Sequence, residues 1–541
     1  MYKNDKNMKH HSFLIFKLFS FSVLAVLLTG CSESFLEQEP QKQASLDDYF
    51  STQEHILEAV NSIYSPAHVY DYYVDTDNKG MYGPVYFSDV MGDDMLVGAA
   101  GPTDQEVWHL AANYSSNELN TPWSLWDVSY NGIRLANEAI NYAEKNAGKL
   151  PAAFVNRVKA EAGVMRAFYY TIVWKFFGNI PYFTNVLYAT SKATQLSADQ
   201  AYQSIIGDLE AAIVLNALPM KQNDDNLGRA TKAMAYMVYA ELVMYQNDES
   251  RFSKALDYMK EIINDPDYDL NPSYPAIWTP EGEWSKESIF EVNFTDGPVC
   301  GRAYPDAGDP YKTANYVIGG TIAPRVLAPQ GGVAADGIED GWGTFIVRKT
   351  TYDLFANNDT RRDASCYKAP EGGYTPRYQD QGIFCGKYVG RSSHKAPDTG
   401  GAGDMGFNDN WRVYRYAETL LNAAELLVRT NGDLTVAKGY ITKVRQRAGL
   451  VSEVDATLDN ILQERRLEFV GEGKRYWDLV RMEPVSGVNT KASTALKAEQ
   501  EPINAVGDYG RTNSWTPRKK YLPIYFKEIN AAEGGLKQNA Y

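Results

Sequence analysis

Cysteine is nearly missing from this chain: four residues in 541, at positions 31, 300, 366 and 385. So few exclude a disulfide-stapled scaffold, and their spacing fits no zinc site. Beyond position 31 an odd number remains, so at least one thiol stays free or pairs between chains; Cys366 with Cys385 is one possible bridge. Histidine is also scarce. After residue 30 only His55, His68, His109 and His394 occur, too scattered to form a triad or metal motif. No G-x-S-x-G is present, and Gly401-Ala402-Gly403-Asp404-Met405-Gly406 follows a polar segment rather than a strand, which excludes a dinucleotide fingerprint. Asp75, Asp77, Lys79 and Gly80 resemble the start of a calcium loop, but Tyr86 stands where the closing glutamate belongs. The residues call for no cofactor and no metal. Positive charge is lacking too: the formal charge is −15, and residues 1–30 carry +3 (Lys3, Lys6, Lys9 and Lys17 against Asp5), so the remainder carries −15 − 3 = −18. Such a surface repels phosphate backbones and suits neutral ligands. Beyond the amino terminus no run is apolar enough to span a bilayer.

Residues 1–30 read as a signal peptide: lysines first, then an apolar Leu18 to Leu28, too short to span. Leu28-Thr29-Gly30-Cys31 looks like a lipobox, which would leave Cys31 as an acylated first residue and lipid anchor. Residues 31–45, with Glu33, Glu37, Glu39 and Pro40, read as a flexible tether.

Helical periodicity dominates residues 46–541. We expect helices over Asp47 to Tyr64, around Trp126 to Ile140, and over Val155 to Phe177. Another should open at a Ser197/Gln200 capping box and run to Leu215. Further helices are expected through Ala230 to Met244, Phe252 to Ile263, Tyr416 to Thr430 and Leu434 to Ala448. Small residues at the contacts suggest tetratricopeptide-like pairs. The fold class is mostly α, a helical-pair scaffold with little β, in one domain.

Two loop-rich excursions interrupt it, at about 66–120 and 264–410, rich in Gly, Pro, Asp and Tyr. Excursions from a rigid frame are where binding residues concentrate. Sugars stack their C–H faces on aromatic rings, and covering about 100 Å² contributes on the order of 2.5 kcal/mol before losses. The candidate rings are Tyr73, Tyr82, Trp108, Trp284, Tyr304, Tyr311 and Trp342, with Asp75, Asp94 and Arg391 as hydroxyl partners. Trp278 is assigned to the core.

From Leu458 to Met482 the chain reads L-D-N-I-L-Q-E-R-R-L-E-F-V-G-E-G-K-R-Y-W-D-L-V-R-M. Glu464, Glu468 and Glu472 recur every fourth residue, a spacing of like charges that costs about 0.2–0.5 kcal/mol per pair unless cations are near. Arg465, Arg466, Lys474, Arg475 and Arg481 lie close in sequence to supply them, and Asp478 follows. We expect an ion-pair network of Glu464, Arg465, Glu468, Glu472, Arg475 and Asp478 joining two helices across Gly471 and Gly473. The rival reading is a glycoside hydrolase using Glu464 and Glu468, but a general acid needs a raised pKa and surrounding cations lower it.

This stretch resembles the signature of the SusD/RagB outer-membrane lipoproteins. Tyr414 to Glu425, Val444 to Leu450, Tyr521 to Ile524, Glu528 to Asn530 and Gln538 to Tyr541 are similar to other parts of the family pattern, in the family's order, as are the lipobox and Arg166 to Pro181. The resemblance implies four tetratricopeptide-like units, exposure on the outer face of the outer membrane, and a non-catalytic protein that captures a glycan and lids a TonB-dependent, SusC-like barrel. A peptide or other nutrient is the alternative cargo. The family motif transfers no ligand residues.

Overall fold

Thr52 ends the expectation of one continuous helix over Asp47 to Tyr64. In the computed structural model its hydroxyl accepts from the His55 amide and starts a new helix, α1 (Gln53–Ser62), while Ser45 and Asp48 form a capping box around a separate turn at Leu46–Tyr49. The structure describes residues 45–70, 83–187, 194–294, 318–326, 333–334, 336–395, 406–499, 501–504, 507–509 and 511–541. The chain divides into units 1–51 and 52–541, and the helical scaffold and candidate site belong to the second. Cys31 and the signal peptide lie outside the described residues, as does Cys300.

After α1 come α2 (Pro84–Met91), α3 (Trp123–Lys145), α4 (Ala152–Phe177), α5 (Ala198–Val214), α6 (Lys232–Gln246) and α7 (Phe252–Ile263). The Ser197/Gln200 box opens α5 as expected. α3 packs along α4, α4 along α5, and α6 along α7. Nearly all of α4 from Ala160 onward is buried, so it is the central helix rather than a one-faced surface helix. The pairing resumes late in the chain: α8 (Tyr416–Arg429) packs on α7, and α9 (Leu434–Arg447) on α8. α10 (Leu458–Glu468) and α11 (Arg475–Met482) follow.

The second excursion is less irregular than its composition suggests. It contributes β2 (Ser288–Val292), β3 (Phe345–Val347), β4 (Cys366–Lys368) and β5 (Ile383–Cys385), which join β1 (Met95–Val97) and β6 (Trp411–Arg415). One antiparallel sheet runs β1-β3-β5-β4, and β2 pairs with β6. Short apolar runs between glycines carry too few residues for periodicity to be read. Cys366 and Cys385 face each other across β4 and β5, yet both are free and buried, so the possible bridge is not formed. Trp278 is a core ring, 3% exposed. Among the described residues no helix is long and apolar enough to cross a membrane.

Gly473 explains the break before α11. Its φ is +71°, and a Cβ there would meet the Val85 Cα at 2.7 Å, backbone that cannot swing aside. Gly473→Ala should therefore destabilise by at least about 2 kcal/mol, combining left-handed strain with a backbone clash. Urea unfolding reads this directly; a loss below half that figure would show that α2 yields.

Candidate functional site

The signature segment forms the frame beneath the site. Glu464 Oε1 accepts from Arg361 Nη1 at 2.6 Å and its Oε2 from Arg445 at 2.8 Å. Glu468 accepts from Arg447 at 2.5 Å, Arg415 at 3.1 Å and Arg361 at 3.2 Å. Glu472 accepts twice from Arg415, at 2.7 and 2.8 Å, and from Lys387. Glu287 and Asp359 complete the set, accepting from Arg415 and Arg361 at 2.5 and 2.8 Å. Five carboxylates thus face five cations.

The partners differ from those expected. The cations adjacent in sequence turn to other acids. Arg465 and Arg481 donate to Asp478 at 2.8 and 3.0 Å, Arg475 to Asp93 at 2.7 Å, Arg466 to Asp94 at 2.7 Å, and Lys474 pairs with Glu418 at 2.9 Å. The structure therefore splits the six expected residues among three sets: Glu464, Glu468 and Glu472 in the first, Arg465 with Asp478 in the second, and Arg475 with Asp93 in the third. It also makes Glu472 a turn residue, since α10 ends at Glu468. A helix presents only one face to each neighbour, so successive residues must find different partners.

Burial pushes the Asp478 carboxyl up, but Arg465 and Arg481 outweigh it and hold it at about 2. Burial likewise raises Glu241, and Lys175 with Lys474 brings it down to about 2. Both lie below the ordinary carboxylate range near 4. Depressed groups contribute stability that is complete above about pH 5 and is lost as pH falls toward 2. The melting temperature should be insensitive to these groups from pH 5 to 8 and drop steeply below pH 4; an unchanged midpoint at pH 3 would contradict this.

The frame positions the places where both excursions leave the scaffold. α2, which follows residues 71–82, is held by Gly473, whose amide donates to Asp89 Oδ1 at 3.1 Å, and by Trp477, whose indole donates to Ser88 at 2.7 Å. On the other side Arg412 Nη1 donates to the Asn410 carbonyl at 2.6 Å, and Asn410 Oδ1 accepts from the Phe294 amide at 2.8 Å, just before residues 295–317. The two stems meet. Tyr70, Gly83, Val85, Phe294 and Trp411 line one recess; the Tyr70 and Trp411 rings lie edge to face at 6.4 Å, and those of His68 and Phe294 at 5.5 Å. His68 Nε2 donates to the Asn293 carbonyl at 2.6 Å. Burial lowers the His68 pKa, which keeps the ring neutral at pH 7.

Trp284, half-buried, stands at the same end of β2. Its amide donates to Glu291 Oε1 at 3.1 Å, and its φ of +53° is unusual for a bulky residue. Beside it, burial raises the Glu283 carboxyl to about 8 despite Arg412 at 3.5 Å. Trp342, also half-buried, donates its amide to the Gly320 carbonyl at 2.9 Å, in the short helix Ile318–Ile322. Arg391 donates to the Gly386 and Val389 carbonyls at 3.0 and 3.3 Å, and so serves its own loop.

Two candidates are corrected. Trp108 is 1% exposed, its ring tilted against that of Phe345 at 4.2 Å and edge-on to Phe87 at 5.8 Å, so it is a core ring. Asp94 is 1% exposed and accepts from Arg466 and Thr351. Helix periodicity over Glu106 to Ala112 would have placed Trp108 inward. Tyr73, Asp75, Tyr82, Tyr304 and Tyr311 lie outside the described residues.

Residues 286–541 match the family described as SusD family, and residues 34–244 one described as starch-binding associating with outer membrane. A solved structure of surface glycan-binding protein A from Bacteroides thetaiotaomicron is 44% identical, covering 91% of this chain and 100% of that one, with a TM-score of 0.80. The chain belongs to the SusD family. A second structure under that protein's name, in complex with laminarihexaose, is 42% identical over 90% of this chain and 99% of its own, with a TM-score of 0.79. Among curated relatives, SusD-like protein P2 of Formosa agariphila is 26% identical over 497 residues, 86% of this chain and 90% of that protein.

In this SusD-family protein the sequence reading missed Trp411, His68, Asn293 and Asn410. The available signal was the alternation in W-R-V-Y-R after a glycine-rich loop, which marks Trp411 as the first residue of a strand. Among the described residues no three histidine, cysteine or acidic side chains converge as metal ligands.

Proposed function

We propose that this SusD-family protein captures a neutral oligosaccharide of the laminarihexaose class on the aromatic residues at the excursion stems. Bound to the outer membrane through lipid on Cys31 and facing the cell exterior, it passes the glycan to a SusC-like TonB-dependent barrel. The observation that carries this reading is the laminarihexaose complex of a 42% identical protein, aligned over 99% of that chain. The stems add half-buried Trp284 and Trp411 near the polar Asn293 and Asn410, and half-buried Trp342 stands separately by Gly320; flat rings with hydrogen-bonding groups are the mixture that sugars require. Hydrolysis at Glu464 and Glu468 is disfavoured on physical grounds. They are 2% and 0% exposed, so no substrate reaches them, and the Arg361, Arg415 and Arg447 charges hold Glu468 ionised.

Calorimetry with laminarihexaose, starch oligosaccharides and a peptide pool tests the cargo. Saturable binding of the first supports the reading, and a response to peptides alone replaces it with the peptide-carrier alternative. Cys31→Ser should release the protein from membranes, as fractionation would reveal.

A further inference from the structure

Three acids share one arginine beside Trp284. Glu283 follows the turn at Pro280–Gly282, Glu291 lies on β2, and Asp409 stands two residues before β6. Arg412 is the guanidinium among them, but its Nη1 donates to the Asn410 carbonyl at 2.6 Å and its Nη2 to the Thr279 carbonyl at 2.8 Å, so these donors go to backbone. Glu291 is well served as a carboxylate: it accepts from the Trp284 amide at 3.1 Å and from Asn410 Nδ2 at 3.0 Å. Asp409 faces His394 Nδ1 at 3.0 Å.

Glu283 is the acid left over. Its Oε1 accepts from the Asn410 amide at 2.7 Å, with Arg412 3.5 Å away. Its Oε2 accepts from no described residue, and the side chain is 16% exposed; unlike Asp409 Oδ1 nearby, this oxygen is not sealed from solvent. The other charges around it are His394 and Arg391, both within electrostatic reach of Asp409, and exposed Glu281 two residues earlier. A third negative charge beside a single guanidinium is unfavourable. Burial, with Glu291 and Asp409 adding to it against Arg412, raises the Glu283 carboxyl to about 8. A carboxylate only accepts hydrogen bonds, whereas the protonated acid donates one. Since Oε1 is already an acceptor, the proton belongs on the accessible Oε2. The next residue is half-buried Trp284, whose amide Glu291 fixes, so donor and ring hang on one framework.

We propose that Glu283 determines specificity at the glycan site: as an uncharged acid it donates its Oε2 proton to an oxygen of the sugar resting on Trp284. The proposal rests on the glycan-capture reading. It makes capture depend on pH, because an ionised Glu283 has no proton to give and sets a negative charge against the sugar oxygen.

Calorimetry with laminarihexaose, which carries no group that titrates between pH 6 and 9, tests it on the full chain. Wild-type affinity should be level from pH 6 to 7 and about tenfold lower at pH 9, where about one molecule in ten keeps the proton. Repeating the pH 9 titration in buffers of different ionisation enthalpy should show roughly one proton taken up per sugar bound, against none at pH 6. A residue that only braces the turn would not couple a proton to the ligand. Glu283→Gln keeps a donor but cannot ionise, so its affinity should be level from pH 6 to 9 with no uptake. Glu283→Met has no donor and should bind about tenfold more weakly than wild type at pH 6. Wild-type binding that is equally tight at pH 6 and 9 without uptake overturns the role of Glu283 while leaving glycan capture intact. Uptake that persists in Glu283→Gln assigns the proton to the His394–Asp409 pair and overturns it too. Wild-type protein that does not bind laminarihexaose at pH 6 removes the capture reading and this one with it.

Discussion

Glu468→Ala is expected to lower the unfolding free energy by about 3–5 kcal/mol, the range found when one partner of a buried ion pair is deleted. Glu468 is fully buried and accepts from three arginines. Removing its charge leaves Arg361, Arg415 and Arg447 together in a region that water cannot reach, and guanidinium groups do not relieve such strain by losing a proton. The reverse exchange, a carboxylate kept and one arginine removed, is buffered by the remaining two. Arg447→Met should therefore cost less than Glu468→Ala. Urea denaturation of the three proteins at pH 7 ranks them, and equal midpoints for wild type and Glu468→Ala would show that the cluster adds nothing to stability.

The second large effect concerns Trp284, where ring and backbone make opposite demands. A left-handed φ costs any L-residue with a Cβ roughly 1–2 kcal/mol, and glycine nothing. Trp284→Gly should therefore be about 1 kcal/mol more stable than Trp284→Ala, although glycine normally destabilises relative to alanine. Both should weaken laminarihexaose binding at least tenfold, the scale of one lost aromatic contact. Melting curves and calorimetry on the same samples separate the two effects. If the alanine variant is the more stable, the residue is not strained; if binding survives in both, the ring is not part of the platform.

How far the sequence reveals this molecule depends on the distance over which each signal acts. Helices such as Phe252–Ile263 carry their signal in a 3.6-residue repeat, and the Ser197/Gln200 box is a contact three residues long; both are legible within a short window. The partners of Glu464, Glu468 and Glu472 are not. Nearby arginines are the natural candidates, but Arg361 is 107 residues from Glu468 and Lys387 is 85 from Glu472. Which cation faces which acid is decided by how the helices pack. Trp108 and Trp284 show the same limit at the site: both are tryptophans in polar surroundings, and only the placement of Phe87 and Phe345 makes the first a core ring.

The arrangement of these charges also constrains the order in which the polypeptide matures. Arg361 and Arg415 emerge early and wait for acids that lie 107 and 53 residues further on. Until α10 and the turn after it arrive, Arg361 and Arg415 have only Asp359 and Glu287 as buried partners, too few to complete the cluster, and the earlier segments cannot close fully around them. A product that stops before residue 458 should stay open and be degraded rather than accumulate as a stable fragment, so quality control has a simple cue by which to recognise an unfinished copy.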